Sequence, residues 1–181
     1  MLNIRSGVKN KILSYFFLNE TSRVYINELA RLIGSDPKNV YRILLQLEED
    51  GILESEFKGK ERYFFPQPKN PFYKGYKEIF LKTAGLENLL TEQLKGIGGL
   101  EKAYIFGSYA TGEFNAKSDV DLLLIGSHNS LEAQRILYRL QKGIGREISV
   151  VNMKPDEFKK RSDEKDQFIE SIFSRRVVKL L

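Results

Sequence analysis

The stretch GSYATGEFNAKSDVDLLLIG, residues 107–126, most restricts how this chain can fold. It opens with the pair Gly107-Ser108, runs through ten residues, and then presents Asp119 and Asp121 on either side of Val120. The apolar residues 122–125 follow at once, so residues 120–125 read as a buried strand. Side chains alternate along a strand, which puts Asp119 and Asp121 on one face at its leading end. Two carboxylates side by side repel each other, and a fold tolerates them best with a cation between them. Mg²⁺ suits that place, because it takes hard oxygen ligands and keeps substrate phosphates as partners.

Gly107 follows Ala103, Tyr104, Ile105 and Phe106, which read as an earlier strand. A strand that ends in Gly-Ser and enters a short helix presents backbone N–H groups and a hydroxyl to an anion. A phosphate cradle facing a metal-binding carboxylate pair is the apparatus of phosphoryl or nucleotidyl transfer, which works by positioning and charge stabilisation. The competing assignment is two surface turns with solvated aspartates. A strand on each side of the motif favours the site.

Composition removes several other chemistries. The absence of cysteine excludes disulfides and thiolate metal sites, and the single histidine, His128, argues against a histidine zinc site or a Ser-His-Asp triad. His128 lies in a polar turn after the second strand, near the rim of the site or simply solvated. No window approaches the roughly 20 apolar residues of a membrane-spanning helix, and the N-terminal apolar run is too short for a signal peptide. The expectation is a soluble, cytoplasmic protein with no membrane partner. A length of 181 residues and 41% hydrophobic content fit one large or two small domains. The net charge is +5, and residues 1–84 hold 14 Lys and Arg against 10 Asp and Glu, so the excess is mainly N-terminal.

In residues 1–66, three helices are predicted, over residues 8–18, 27–33 and 37–49. Gly34 stops the second, and Asp36 as N-cap with Pro37 at the first helical position starts the third. Two extended pieces, residues 52–57 and 62–66, flank the basic turn Lys58-Gly59-Lys60 in hairpin fashion. The phrase INELARLIGSDPKNVYRILLQLEEDGILES, followed by ERYFF, resembles winged helix-turn-helix regulators of the ArsR-like kind over residues 8–66. That resemblance implies double-stranded DNA as partner. The third helix carries Lys38, Asn39, Tyr41 and Arg42 near its N-terminal half, the part that reads bases in the major groove. Lys58, Lys60 and Arg62 of the hairpin would contact phosphates. Such regulators bind twofold sites as dimers, so a homodimer is expected. Small three-helix domains also serve as protein-interaction modules.

Pro66, Pro68 and Pro71 mark a break, and residues 67–85 read as a linker helix with an aromatic stripe. Residues 86–181 alternate helix and strand, with strands at 100–106, 120–125 and 147–151, helices at 130–142 and 165–173, and a small terminal strand at 177–181. The fold class is therefore a two-domain α/β (α+β) chain whose second domain is a small mixed sheet with flanking helices.

The run Gly107-Ser108, ten residues, Asp119-Val120-Asp121 is similar to the signature of the polymerase-β-type nucleotidyltransferases, above all the small prokaryotic ones, some of which act as antitoxins. The resemblance implies that Gly107, Ser108 and Ser118 bind a nucleotide, ATP or another NTP, and that Asp119 and Asp121 bind Mg²⁺ in catalysis. Two departures stand out. Thr111 follows Ala110 where the family often has Arg, and Ser149 stands where the family places a third carboxylate. Glu147, two residues earlier on the same face and about 6–7 Å along the strand, is the other acidic candidate. Arg146 beside it could meet phosphates.

Two functional readings result. The first is a DNA-binding transcriptional regulator whose nucleotidyltransferase-fold domain is weakly active or inactive and senses a nucleotide, binds a partner protein or dimerises. The alternative is an active Mg²⁺-dependent nucleotidyltransferase, antitoxin-like or not, that moves NMP from an NTP to a protein, RNA or small-molecule acceptor.

Overall fold

A computed structural model describes residues 7–115 and 118–181. It divides into two compact units: residues up to Asn88 together with Lys142–Gly145, and Leu89–Gln141 together with Arg146–Leu181. No described helix is long and apolar enough to cross a membrane.

In the first unit, helices α1 (Gly7–Leu18), α2 (Ile26–Ile33) and α3 (Pro37–Glu49) pack around Phe16, Leu29, Leu44 and Leu47. The short strand β1 (Val24–Tyr25) and the hairpin β2 (Leu53–Lys58) and β3 (Glu61–Pro66) form an antiparallel sheet in the order β1-β3-β2. Local chemistry explains the breaks. The Asp36 carboxylate accepts the backbone N–H groups of Lys38 and Asn39 at 3.0 and 3.1 Å, and Pro37 occupies the first turn of α3. Gly34 ends α2 with φ of 63°, a left-handed geometry that costs other residues about 1 kcal/mol or more. The next helix, α4 (Tyr73–Thr83), buries Tyr73 and Phe80 in this same core, their rings 5.4 and 5.5 Å from Phe17. Half of the aromatic stripe read from the sequence is therefore core, while Phe72 stays 78% exposed.

After α5 (Leu86–Leu94), the chain continues through β4 (Leu100–Phe106), α6 (Gly107–Thr111), β5 (Val120–Gly126), α7 (Ser130–Ile144), β6 (Ile148–Met153), α8 (Pro155–Asp163), α9 (Gln167–Phe173) and β7 (Val178–Lys179), and its second sheet belongs to the second unit. The sheet order is β6-β5-β4-β7, parallel between β5 and β6 and antiparallel elsewhere. Every residue of β5 is buried except Asp121, as suits a central strand whose sequence is almost continuously apolar. Leu123, Ile125 and Met153 join Ile169 and Ile172 of α9 in one core.

Two elements differ from the sequence expectation. Strand β6 begins at Ile148 and runs to Met153, later and longer than residues 147–151. Helix α8 was not anticipated: it has no buried residue, so it lacks the apolar stripe that marks a helix. Its signals were those of its ends, Pro155 at the start, Asp156 and Glu157 in the first turn, Lys160 and Arg161 in the last.

Candidate functional site

The motif closes into one place because β4 and β5 are antiparallel neighbours. Their register sets Phe106 opposite Asp121, so the Gly107 that follows Phe106 arrives at the carboxylate. Gly107 has φ of 69°, and a Cβ there would overlap Asp121 Oδ2. Glycine is thus required twice, by the backbone angle and by the carboxylate. Ser108 follows in α6, and its carbonyl accepts the backbone N–H of Glu113 at 2.9 Å. The Ser108 hydroxyl makes no hydrogen bond among the described residues. The Ser118 hydroxyl accepts Asn115 N–H at 3.1 Å, and its own N–H donates to Asn115 O at 3.1 Å.

Asp121 is half-buried, and burial pushes its carboxyl above the ordinary carboxylate range, with the charge of Asp119 adding to the rise. The two carboxylates therefore act on each other as like charges, the condition a divalent cation relieves. The oxygen donor set fits Mg²⁺, which is commonly held by one or two carboxylates plus substrate phosphates. Among the described residues, no three acidic or histidine side chains converge to hold a metal.

The third position is decided by the parallel register of β5 and β6. Val120 pairs with Ile148 and Asp121 with Ser149. Val120 and Ile148 are both buried, so Asp121 and Ser149 emerge side by side on the other face. Glu147 precedes β6, is exposed, and contributes its carbonyl oxygen to Val120 N–H at 2.9 Å. Its carboxylate does not join the aspartates in a three-acid group.

Arg146 is the group whose importance the sequence understated. It is only 9% exposed, its guanidinium lies 5.4 Å from the centre of the Phe114 ring, and Phe114 meets Tyr109 of α6 edge-on at 5.4 Å. Burial lowers the Arg146 pKa, and the Asp119 charge works against that fall, so the cation and that carboxylate act on each other. The Phe114 ring in the loop was the available signal. His128 is remote from this end: it follows β5 beyond Gly126 and hydrogen-bonds Asn152 through Nε2 at 2.8 Å.

In the first unit, Lys38, Tyr41 and Arg42 are exposed on α3, and Arg42 donates to Asn39 Oδ1 at 3.1 Å. The hairpin cations are largely engaged. Arg62 donates to Glu48 Oε2 at 2.6 Å and to Ser55 Oγ at 2.8 Å, and Lys58 lies 3.7 Å from Glu56. Lys60, in the turn, is exposed.

Residues 87–178, just over half of the chain, match the family described as nucleotidyltransferase domain. A protein of Methanocaldococcus jannaschii named as a candidate protein adenylyltransferase is 40% identical over 55 residues, which are 29% of this chain and 59% of that protein. The chain thus spans about three-fifths of the length of that relative. Among solved structures, a mutant form of the toxin-antitoxin MntA-HpeT is similar at 15% identity with a TM-score of 0.40, over 53% of this chain and 73% of that one. A toxin-antitoxin with AMP-PNP gives 19% identity and a TM-score of 0.39, over 52% and 72%.

Proposed function

The chain belongs to the nucleotidyltransferase domain family, and from that premise we propose that its second unit binds an NTP with Mg²⁺ and transfers NMP to a hydroxyl acceptor. The observation that carries this reading is the approach of Gly107, the residue before Ser108, to Asp121 at the leading end of β5. Gly107 and Ser108 would receive the phosphates through backbone N–H groups and the hydroxyl. Asp119 and Asp121 would hold Mg²⁺, which when bound neutralises phosphate charge and favours attack at the α-phosphorus. In the reaction the acceptor oxygen forms a bond to that phosphorus. The anhydride bond to the β-phosphate breaks, its electron pair leaves on pyrophosphate, and the acceptor proton passes to solvent. ATP as donor and a protein side chain as acceptor are favoured by the name of the M. jannaschii relative.

The test is transfer of label from α-labelled NTPs in Mg²⁺, comparing wild type with Asp119→Ala/Asp121→Ala. Label on a protein acceptor, lost by 100-fold or more in the double variant, is the expected result. Equal labelling by both proteins would overturn the reading.

A second reading concerns the first unit, for which one observation favours double-stranded DNA: Lys38, Tyr41 and Arg42 are exposed together on α3. A homodimer would present two such helices to a twofold site. Salt-dependent binding to duplex DNA, weakened by Lys38→Ala/Arg42→Ala, is expected. Binding that ignores both salt and these substitutions would eliminate it.

A further inference from the structure

We propose that the site binds its nucleotide with one divalent cation only, and that Arg146 supplies the second positive charge from within the fold. This rests on the NTP-binding reading above and sharpens it.

The cation count follows from the donors. A pair of divalent ions about 3.5–4 Å apart repel strongly, and sites that hold two use several carboxylates, some of them shared. Here the parallel register places a hydroxyl, Ser149, beside Asp121, and no third acidic or histidine side chain converges on the pair among the described residues. A serine hydroxyl is neutral at pH 7 and offers a weak donor to Mg²⁺. Two carboxylates with substrate phosphates are enough for one such ion and too few for two.

The second charge follows from the burial of Arg146. Arg146 as a whole residue is 9% exposed, and a fold retains a buried arginine where anionic or aromatic partners replace part of its hydration. Phe114 provides an aromatic face at 5.4 Å, Tyr109 backs that ring, and Asp119 provides negative charge. Tyr109 is the residue after Ser108, so the same packing ties Arg146 to the helix that carries the Gly-Ser pair. The loop ahead of Arg146 is fixed too. Gly145 takes a φ of 64°, Arg146 N–H donates to Gln141 O, and the Gln141 side chain accepts Ile148 N–H at 3.1 Å. Arg146 is therefore a permanent charge held in place by the fold. It adds attraction for a polyphosphate and opposes the entry of free cations.

Those two effects have opposite signs, which separates them from a loss of folding. Mn²⁺ binding is counted by electron paramagnetic resonance on the full chain, alone and with the non-transferable analogue α,β-methylene-ATP. In wild type, one Mn²⁺ is expected with the analogue. Ser149→Ala should leave that count at one, and Ser149→Asp should raise it to two. Arg146→Gln should weaken the analogue about tenfold while Mn²⁺ alone binds about threefold more tightly. A structural defect would weaken both.

Two Mn²⁺ in wild type, an unchanged count in Ser149→Asp, or parallel loss of both affinities in Arg146→Gln overturns this inference and leaves NTP binding standing. Failure of wild type to bind the analogue at all overturns both.

Discussion

The two units handle charge in opposite ways. On the hairpin of the first unit, opposite charges close on one another: Arg62 with Glu48 and Ser55, Arg23 and Lys58 with Glu56. At the leading end of β5 in the second unit, like charges are held together, Asp119 beside Asp121, with a neutral serine paired to Asp121. The first pattern is complete without a ligand and works as a link between α3 and the hairpin. The second is unfavourable for the fold alone and becomes favourable when a cation arrives. A charged residue thus indicates function less by its presence than by whether the fold already neutralises it.

The largest expected effect comes from breaking the close approach at the second site. Gly107→Ala should cost about 1–2 kcal/mol of stability, from the strained φ and the carboxylate, and lower nucleotide affinity by about tenfold or more. Denaturant unfolding and calorimetric titration measure the two. An alanine variant as stable and as tight-binding as wild type would remove Gly107 from the site.

Next in size is the half-buried link of the first unit. Glu48→Ala leaves Arg62 and Ser55 without their shared acceptor, so a loss of about 1–2 kcal/mol is expected. That corresponds to a fall in Tm of roughly 3–6 °C. Nucleotide binding should be unchanged. If Tm does not move, the pair is a surface contact and the contrast between the units weakens.

A paired carboxylate inside the second unit gives a smaller, pH-dependent effect. Asp166 accepts Arg161 Nη2 at 3.0 and 3.2 Å and the N–H groups of Phe168 and Ile169 at the start of α9. The Arg161 hydrogen bond, followed by that from Ile169, holds its carboxyl below the ordinary value of 3.8. A depressed carboxyl stabilises the fold above its unfolded pKa and loses that stabilisation as pH falls through the folded one. Wild type should therefore lose Tm below about pH 4 more steeply than Asp166→Asn does. Parallel acid profiles would contradict the pairing.

Smallest of all is Lys60→Ala. It should change stability by less than about 0.5 kcal/mol, yet lower the salt dependence of the proposed duplex DNA binding by about one unit of slope. A change in stability with no change in slope would return Lys60 to the structural side of the comparison.

Much of this was legible in local pattern. The cap Asp36-Pro37 and the glycine stop at Gly34 are properties of short segments, and their geometry followed the rules of such segments. Helix α8 escaped because it has no fully buried residue and only Phe158 packs partly against the core, so no apolar stripe marks it. His128 lies between β5 and α7, and its position past the far end of β5 depended on the direction of the strand. The pairing of Arg62 with Glu48 escaped because it joins residues on different elements.

By itself the sequence determined the family and the order of most elements, because each depends on neighbours a few residues away. Only the tertiary structure decided that Ser149 stands beside Asp121 and that Arg146 lies buried over Phe114. Register between β5 and β6 is fixed by burying Val120 against the core along with Ile148, a contact across some thirty residues of intervening chain. Once that register is set, every polar neighbour of the site is set with it.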